Sequence, residues 1–378
     1  MKNTLRERAD LVLVAGARPN FVKLAPLHDA LDACPQVRAI IVHTGQHYDD
    51  AMSDVFFREL GIPSPDHDLE IGPGTHAEQT ATCMIRFERV AHELSPRCIV
   101  LFGDVNSTLA CALVGAKLGI SVAHVEAGLR SNDWSMPEEI NRIVTDRLSS
   151  RLYAPSRDAC ENLAREGTPS ERVRLVGNIM VDTLLAQLPC IDREQTLREF
   201  DLEPQRFILV TLHRPSNVDD AARLTQICGA LSRASTCEPV LFLAHPGTER
   251  RLRELGLNNA LGRTRIIAPL SYRAFLGLMA SARVVLTDSG GVQEETTALG
   301  VPCLTLRPNT ERPITITEGT NRLVEPEPSS LLHALETSEG RRHRIPELWD
   351  GNTAKRIAVD LEEFLAGHTT NGTRDDGH

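Results

Sequence analysis

The feature of this chain that most constrains its fold is a regular succession of short apolar runs. A first series comprises LVLVAG (11–16), AIIVHT (39–44), CIVLFG (98–103), VAHVEA (122–127), LYAPS (152–156) and VRLVGN (173–178). A second series comprises FILVTLH (207–213), PVLFLAH (239–245), RIIAP (265–269), RVVLTDS (283–289), CLTLR (303–307) and RLVEP (322–326). Because the runs are continuous rather than alternating, we predict parallel strands that are covered by helices on both faces.

Two such series predict an α/β protein with two Rossmann-like, doubly wound domains that face each other across a cleft. We expect the first domain at 1–185 and the second at 186–352, with the link in the polar segment 186–206. A last amphipathic helix is predicted at 353–366. The polar tail 367–378 is predicted to be disordered.

Charge and cysteine content limit the partners and the compartment. The net charge of −10 argues against a nucleic-acid or anionic-membrane partner, because no basic surplus exists to meet phosphates. No apolar run approaches the ~20 residues of a membrane span, and the N-terminal MKNTLRERAD lacks the apolar core of a signal peptide. Nine cysteines without paired spacing predict reduced thiols in a cytoplasmic protein.

Polar residues follow many of the predicted strands, where open parallel sheets bind their ligands. These residues are Arg18, Gln46, His47, Asp104, Glu126, His213, His245 and Ser289. The chain contains no GxGxxG, HExxH, CxxC or GxSxG motif. We therefore expect neither a metal ion nor a nicotinamide cofactor.

Two turns of the first series admit a functional and a structural interpretation. In GARPNFVKLAPL, Arg18 and Lys23 lie near a helix N-terminus, which attracts anions, although solvated surface charges would look the same. In LFGDVNSTLA, Asp104 follows a buried strand. It is either a carboxylate that faces the ligand or the N-cap of the next helix.

The segment AHVEAGLRSNDWSMPEEINR (123–142) carries further carboxylates. Glu126 lies at a strand end, where a buried carboxylate is costly unless it is paired or its raised pKa is used. Arg130 is the plausible partner under the structural interpretation. After a mobile-looking loop, Glu138 and Glu139 fall in the first turn of a helix, which favours acidic residues in any case. Carboxylates grouped at one site would raise one another's pKa, as proton abstraction requires.

The second series offers a histidine and a glycine turn. His213 in VTLHRPSN is followed by polar residues that suit an anion, yet a lone histidine is more often a satisfied core residue. LTDSGGVQEE (286–295) has the glycine turn of a phosphate site, but glutamates follow it and lysine does not.

These segments together resemble the non-hydrolysing UDP-N-acetylglucosamine 2-epimerase family. They are GARPNFVKLAP, TGQHYDDAM, FGDVNSTLA, HVEAGLRS, MPEEINR, VTLHRPSN, LTDSGGVQEE and NTERPITITEGTNRLV, in the family's order. The resemblance implies a GT-B type fold whose C-terminal helix crosses back to the first domain, a homodimer and no cofactor. It also implies interconversion of UDP-GlcNAc and UDP-ManNAc by anti elimination of UDP to a 2-acetamidoglucal, followed by re-addition of UDP.

The resemblance also implies roles for individual residues. Its catalytic positions are Asp104, Glu126, Glu138 and His213. We expect Asp104 and Glu138 to transfer the proton at C2, Glu126 to orient the sugar, and His213 with Arg18 to stabilise the departing diphosphate.

The remaining positions that match the family bind the substrate and its UDP moiety. They are Arg18, Lys23, Phe275, Ser289, Gly290, Gly291, Glu295 and Arg312. We expect the backbone N–H groups of Ser289, Gly290 and Gly291 to face the diphosphate. Glu295 is expected to bind the ribose, and Glu294 to be an ordinary first-turn charge.

One departure from the family concerns its second, allosteric UDP-GlcNAc site. Gln46 and His47 of that site are present, but the segment 68–80 lacks the two glutamines of the Gln-Pro-Gly-Gln motif, which argues against allosteric activation. The alternatives left open are a hydrolysing epimerase that releases ManNAc and UDP, and a 2-epimerase of a modified UDP-2-acetamido sugar. A GT-B glycosyltransferase or a catalytically silent nucleotide-sugar binder is disfavoured by the set of carboxylates.

Overall fold

The computed structural model describes residues 9–45, 57–338 and 343–369. The chain separates into two compact units, Met1–Thr183 with Glu347–His378 and Leu184–Pro346, which we call the first and the second unit. No helix in the described ranges combines the length and the apolar character that crossing a membrane would require.

The first unit is built on a parallel sheet that has seven strands within the described residues. The strands are β1 (Leu11–Ala15), β2 (Ala39–His43), β3 (His67–Asp68), β4 (Cys98–Phe102), β5 (Ser121–Val125), β6 (Arg151–Ala154) and β7 (Val173–Leu175), in the order β3-β2-β1-β4-β5-β6-β7. The helices are α1 (Arg18–Asp32), α2 (His76–Leu94), α3 (Asn106–Leu118), α4 (Pro137–Leu148), α5 (Arg157–Arg165) and α6 (Ile179–Gln187). Every strand predicted from the first series is present, and among the strands of the described residues only the two-residue β3 was not predicted.

The second unit contains a parallel sheet of six strands in its described part. The strands are β8 (Ile208–Leu212), β9 (Val240–Ala244), β10 (Arg265–Ile267), β11 (Val284–Thr287), β12 (Cys303–Thr305) and β13 (Asn321–Leu323), in the order β10-β9-β8-β11-β12-β13. The helices are α7 (Arg193–Glu199), α8 (Pro215–Val218), α9 (Ala221–Ala234), α10 (Pro246–Glu254), α11 (Tyr272–Ser281), α12 (Gly290–Leu299), α13 (Ile314–Thr317) and α14 (Pro328–Glu336).

Burial explains why the apolar runs are continuous. All residues of β1, β4 and β9 are buried, so both faces of these strands are covered. A strand buried on both faces cannot alternate apolar and polar residues without burying unpaired polar groups. The predicted α/β class with two parallel sheets is therefore confirmed.

The strand order places the candidate residues. In the first sheet the chain runs outward from β1 and then crosses to β4 on the other side of β1. In the second sheet β8 and β11 have the same relation. Ligands of doubly wound sheets bind at the carboxyl ends of the strands at such a reversal. Asp104 follows β4, whereas His213 and Ser289 follow β8 and β11.

The C-terminal helix α15 (Thr353–Thr369) belongs to the first unit, where it packs on α1. Its first turn is capped by Asp182, whose carboxylate accepts from Thr353 N (3.2 Å) and Ala354 N (2.7 Å). Because α15 continues to Thr369, the predicted disorder is wrong for residues 367–369. The rest of the predicted tail, 370–378, lies outside the described residues.

Candidate active site

Asp104 is held by a buried arginine of the first unit. Its carboxylate is bonded to Arg142 of α4, a residue whose side chain is only 2% exposed. The N-cap of α3 is Val105, not Asp104, so the interpretation of Asp104 as a helix cap is wrong. Asp104 is therefore a paired carboxylate, 28% exposed, at the end of β4.

Glu126 is buried next to Asp104 and has a cationic partner other than the expected one. Its Oε2 accepts from Nζ of Lys23, which is also buried, so the expected pairing with Arg130 is wrong. A Cβ built on Gly103 would lie 3.0 Å from Lys23 Nζ and 3.4 Å from Glu126 Oε2, so the pair lies against the turn that precedes Asp104. Glu126 also has a φ of +76°, a backbone conformation that is rare outside glycine and that clusters at functional sites.

Glu138 and Glu139, adjacent in the first turn of α4, have different surroundings. Glu139 is buried and accepts from Ser131 N (3.0 Å), Asn132 N (2.8 Å) and Arg142 Nη2 (2.6 Å). Burial raises the pKa of Glu139, but these hydrogen bonds and the Arg142 charge outweigh it and leave the pKa below its ordinary value. Glu139 thus ties the preceding loop to α4, whereas the partly exposed Glu138 stays the candidate for chemistry.

Arg142 links these groups, and the sequence analysis missed it. It pairs with Asp104 through Nη1 and with Glu139 through Nη2 and Nε. The i,i+3 spacing of Glu139 and Arg142 in EEINR was an available signal for this pair. Asn141 adds a hydrogen bond from Nδ2 to the carbonyl oxygen of Asp104 at 2.8 Å, so α4 holds both the backbone and the side chain of Asp104.

In the second unit, His213 is paired with Asp288, another residue that the sequence analysis did not single out. His213 Nδ1 lies 3.1 Å from Asp288 Oδ1. The His213 side chain is 49% exposed, so the interpretation of His213 as a satisfied core histidine is wrong. The completely buried Asp288 also accepts from Arg214 N at 3.0 Å and from Asn217 Nδ2 at 3.0 Å.

The charge state of Asp288 decides that Nδ1 of His213 carries a hydrogen. Burial raises the pKa of Asp288, whereas the hydrogen bond and the charge of His213 lower it. The lowering effects together are larger, so the pKa of Asp288 lies below its ordinary value. An ionised carboxylate only accepts hydrogen bonds, so the Nδ1 atom of His213 carries a hydrogen. The Nε2 atom is then the one left for a ligand.

The glycine turn of the second unit begins α12, with Ser289 at the N-cap and Gly290 as the first helical residue. The Ser289 N–H donates to Thr287 Oγ1 at 3.0 Å. The Ser289 N–H is therefore engaged within the turn, and the expectation that Ser289, Gly290 and Gly291 bind the diphosphate stays a prediction. A Cβ on Gly290 would lie 2.5 Å from Arg312 Nη1, so the absence of a side chain lets Arg312 approach the turn.

The glutamates after the glycine turn do not face outward. Glu294 is 1% exposed and its Oε1 lies 2.9 Å from Arg312 Nε, so its interpretation as an ordinary first-turn charge is wrong. Arg312, itself buried, is also paired with Glu311, which in turn is bonded to Arg307 at 2.6 Å. Glu294 and Glu311 thus hold the guanidinium of Arg312 against the glycine turn, which no lysine follows.

Glu295 is buried one residue farther along α12. Its Oε1 accepts from the Tyr272 hydroxyl at 2.8 Å. Burial raises the pKa of Glu295 to about 7, although the Tyr272 hydrogen bond opposes that shift. Phe275, half-buried, lies on α11 together with Tyr272.

The predicted allosteric positions and Arg18 complete the predicted site residues. Gln46 and His47 lie outside the described residues, and Arg18 is placed only as the first residue of α1, without a description of its side chain. Within the described part of the chain, no group of three or more His, Cys, Asp or Glu side chains is arranged to hold a metal ion.

Comparisons with known proteins point to one family. The sequence profile described as UDP-N-acetylglucosamine 2-epimerase matches residues 29–362. The chain is 43% identical to the UDP-N-acetylglucosamine 2-epimerase of Methanocaldococcus jannaschii over 92% of this chain and 97% of that protein. It is 40% identical to the UDP-2,3-diacetamido-2,3-dideoxy-D-glucuronate 2-epimerase of Pseudomonas aeruginosa over 94% and 99%.

A solved structure gives the same family. The crystal structure of the M. jannaschii UDP-GlcNAc 2-epimerase in complex with UDP-GlcNAc and UDP is similar to this chain with a TM-score of 0.87 and 42% identity. The similarity covers 93% of this chain and 99% of that one.

Proposed function

The chain belongs to the UDP-N-acetylglucosamine 2-epimerase family, and from that premise we propose that it is an isomerase that interconverts UDP-GlcNAc and UDP-ManNAc. The observation that carries the proposal is the group of carboxylates at the carboxyl ends of β4 and β5 and at the start of α4. Two of them, Asp104 and Glu126, have buried cationic partners. A protein that only bound a nucleotide sugar would have no use for this arrangement.

The proposed reaction needs a base because the hydrogen at C2 of the sugar is not acidic. A carboxylate takes this proton, the C2–H electrons form the C1–C2 double bond, and UDP leaves C1 with the electrons of the C1–O bond. UDP then returns to C1 of the 2-acetamidoglucal while a proton is delivered to the opposite face of C2. We assign these two proton transfers to Asp104 and Glu138.

The cationic partners fit these roles. Arg142 holds the Asp104 carboxylate in a fixed orientation, as transfer of a proton requires. Lys23 holds Glu126 against the turn that precedes Asp104, so we assign Glu126 to orienting the sugar. Charge pairing of this kind prepares the acid–base groups before the substrate arrives.

The second unit is proposed to bind the UDP moiety. With the His213 ring in its imidazolium form, the Nε2–H and the N–H groups of Gly290 and Gly291 would donate to the diphosphate, and Arg312 lies behind the turn as a further cation. The other positions carried over from the family are a diphosphate contact by Arg18, stacking of the uracil beside Phe275 and a ribose contact by Glu295. Residues that stabilise UDP as the leaving group of the elimination also hold it for the re-addition, because the same UDP departs and returns.

Proton NMR of UDP-GlcNAc incubated with the enzyme in D2O tests the proposed reaction. We expect UDP-ManNAc with deuterium at C2 and UDP as a minor product. Free ManNAc with an equal amount of UDP would instead identify a hydrolysing enzyme. A C2 position that keeps its hydrogen throughout would contradict both reactions.

A second candidate substrate is a modified UDP-2-acetamido sugar. It is favoured by the 40% identity to the P. aeruginosa relative, whose name specifies a 2,3-diacetamido uronic acid. Comparison of kcat/KM for UDP-GlcNAc and for that derivative decides which sugar the enzyme prefers. A higher value for the derivative would replace the first proposal on sugar identity while leaving the elimination chemistry intact.

We further propose a cytoplasmic homodimer. All nine cysteines are free thiols, which suits a reducing compartment. Light scattering coupled to size-exclusion chromatography tests the assembly, and a monomer mass near 41.6 kDa would contradict it.

A further inference from the structure

A buried histidine of the first unit, His124 in β5, has hydrogen-bond acceptors on both sides of its ring. Its side chain is completely buried, with Nδ1 at 2.6 Å from Asp146 Oδ1 and Nε2 at 2.8 Å from the carbonyl oxygen of Gly103. A carbonyl oxygen can only accept, so Nε2 must carry a hydrogen. The state of Asp146 decides whether Nδ1 carries one as well.

Asp146 is an ionised acceptor. Besides His124, it accepts from Gly128 N at 3.0 Å, and its Oδ2 is paired with Arg130 Nη2 at 2.7 Å. Burial raises the pKa of Asp146, but the charge and hydrogen bond of His124, followed by those of Arg130, leave it below its ordinary value. Because Arg130 and the Gly128 N–H hold Asp146 as a carboxylate, both ring nitrogens of His124 face acceptors.

The charges around His124 are balanced. Arg130 also binds Glu166, with Nε at 2.7 Å from Oε1, so His124, Asp146, Arg130 and Glu166 follow one another in one chain of contacts in which each carboxylate has a basic neighbour. A buried charge that is paired and hydrogen-bonded in this way is tolerated, whereas removal of one partner leaves the other uncompensated.

The His124–Asp146 pair connects the two turns that carry the proposed catalytic carboxylates. His124 holds the carbonyl of Gly103, which has a φ of +64° and directly precedes Asp104. Asp146 holds the N–H of Gly128, two residues after Glu126. A Cβ on Gly128 would lie 2.4 Å from the carbonyl oxygen of Ala159, so this turn is also tightly confined.

We propose that His124, as an imidazolium paired with Asp146, is a positioning residue that fixes the turns of Asp104 and Glu126 relative to each other. This assignment rests on the proposed epimerase function, because it is the carboxylates of that reaction that would be positioned. His124 is completely buried, so its effect passes through the backbone of Gly103 and through Asp146.

The consequence for turnover follows from the sensitivity of proton transfer to distance. A misplacement of about 1 Å in a reacting group can lower the rate by about 100-fold. Apart from Arg18, the residues proposed to bind UDP lie in the second unit, so loss of His124 should lower kcat while KM and the affinity for UDP change little.

Two substitutions separate the contacts of the ring. Asn at position 124 places an amide near the former Nδ1 and loses the bond to Gly103, whereas Gln places its amide near the former Nε2 and can still donate to that carbonyl. We expect His124→Asn to lower kcat by about 100-fold and His124→Gln to recover part of the loss. His92→Asn, at an exposed histidine of α2, is the matched control and should retain the wild-type kcat.

The closing experiment combines these kinetics with NMR of the wild-type enzyme labelled with 15N-histidine. We expect one histidine with imidazolium shifts on both nitrogens at pH 8, whose signal is absent in His124→Gln. A neutral ring at position 124, or an unchanged kcat in His124→Asn, would overturn the proposal. If His124→Asn does not fold, the NMR signal and the His124→Gln kinetics decide. A wild-type enzyme that shows the imidazolium but does not exchange C2 would refute the proposed function and leave the charge state of His124 established.

Discussion

The two units contain buried charge pairs of opposite polarity. In the first unit, carboxylates proposed to act on the substrate are backed by buried cations, Arg142 behind Asp104 and Lys23 behind Glu126. In the second unit, a histidine and an arginine proposed to serve the diphosphate are backed by buried carboxylates, Asp288 behind His213 and Glu294 behind Arg312.

The difference shows that the two units are distinguished by the charge of the side chains proposed to contact the substrate, and not by their fold. Both sheets reverse their strand order in the same way and place polar residues at the same kind of strand end. A negative group backed by a cation suits proton abstraction, and a positive group backed by a carboxylate suits an anionic leaving group. Substitutions that break the charge pairs of each unit in turn test this difference.

The largest effect is expected from neutralising the carboxylates of the first unit. Asp104→Asn and Glu138→Gln should each lower kcat by about 100- to 10,000-fold, the range of general acid–base catalysis. Steady-state kinetics with UDP-GlcNAc measures the loss. Glu88→Gln, at an exposed glutamate of α2, is the control and should behave as wild type. A kcat within a few-fold of wild type for either variant would remove that residue from the chemistry.

Removing the cation of the second unit should affect both stability and binding. Arg312→Ala removes the cation that is paired with buried Glu294, and breaking a buried pair costs about 3–5 kcal/mol. Urea denaturation should show this loss, and titration with UDP should show weaker binding. Arg312→Lys retains the charge and should lose less of both. An unchanged urea midpoint in Arg312→Ala would mean that the pair contributes nothing to the fold.

Replacing the carboxylate behind His213 should have a smaller effect than neutralising Asp104. Asp288→Asn can present an amide N–H to the ring, which favours the other tautomer and removes the acceptor that holds Nδ1. We expect kcat/KM to fall by about 100-fold at most, with a shifted pH–rate profile. Asp219→Asn, on the nearby surface, is the control. A pH profile identical to that of wild type would show that Asp288 does not act through His213.

The smallest effect concerns Glu295, whose pKa is raised from 4.5 to about 7. Between these values the folded state keeps a proton that the unfolded state releases, so this residue makes stability fall as pH rises from 4.5 to 7. Glu295→Gln stays neutral and can still accept from Tyr272. Its Tm should therefore equal or exceed that of wild type at pH 8, and the difference should shrink towards pH 5.

Thermal unfolding across this pH range checks the Glu295 prediction. Glu325→Gln, at an exposed glutamate, should follow the wild-type curve. A Tm difference for Glu295→Gln that widens as the pH falls would have the wrong sign.

The fold was predictable from the sequence because a strand buried on both faces must be apolar throughout. In the part of the chain that the structure describes, β3 (His67–Asp68) is the one strand that was not predicted, because a two-residue strand leaves no apolar run. The positions of Asp104 and His213 after their strands were predictable for the same reason.

The partners of the site residues were harder to predict because the pairs join distant segments of the chain. Lys23 and Glu126 are 103 residues apart, and His213 and Asp288 are 75 apart. Charged residues at the ends of strands indicate that ion pairs will form there, but only the folded structure shows which side chains pair with each other. The prediction for Glu294 was wrong because its place near the start of a helix does not reveal that α12 is buried from Val292 to Thr297.

The division of labour between the units is tested most directly by the affinity of the Asp104→Asn/Glu138→Gln double variant for UDP. Isothermal titration should give the wild-type dissociation constant, because neither Asp104 nor Glu138 is among the residues proposed to bind UDP, which, apart from Arg18, belong to the second unit. A dissociation constant weaker by about tenfold, or about 1.4 kcal/mol, would contradict the account by making these carboxylates part of the nucleotide site.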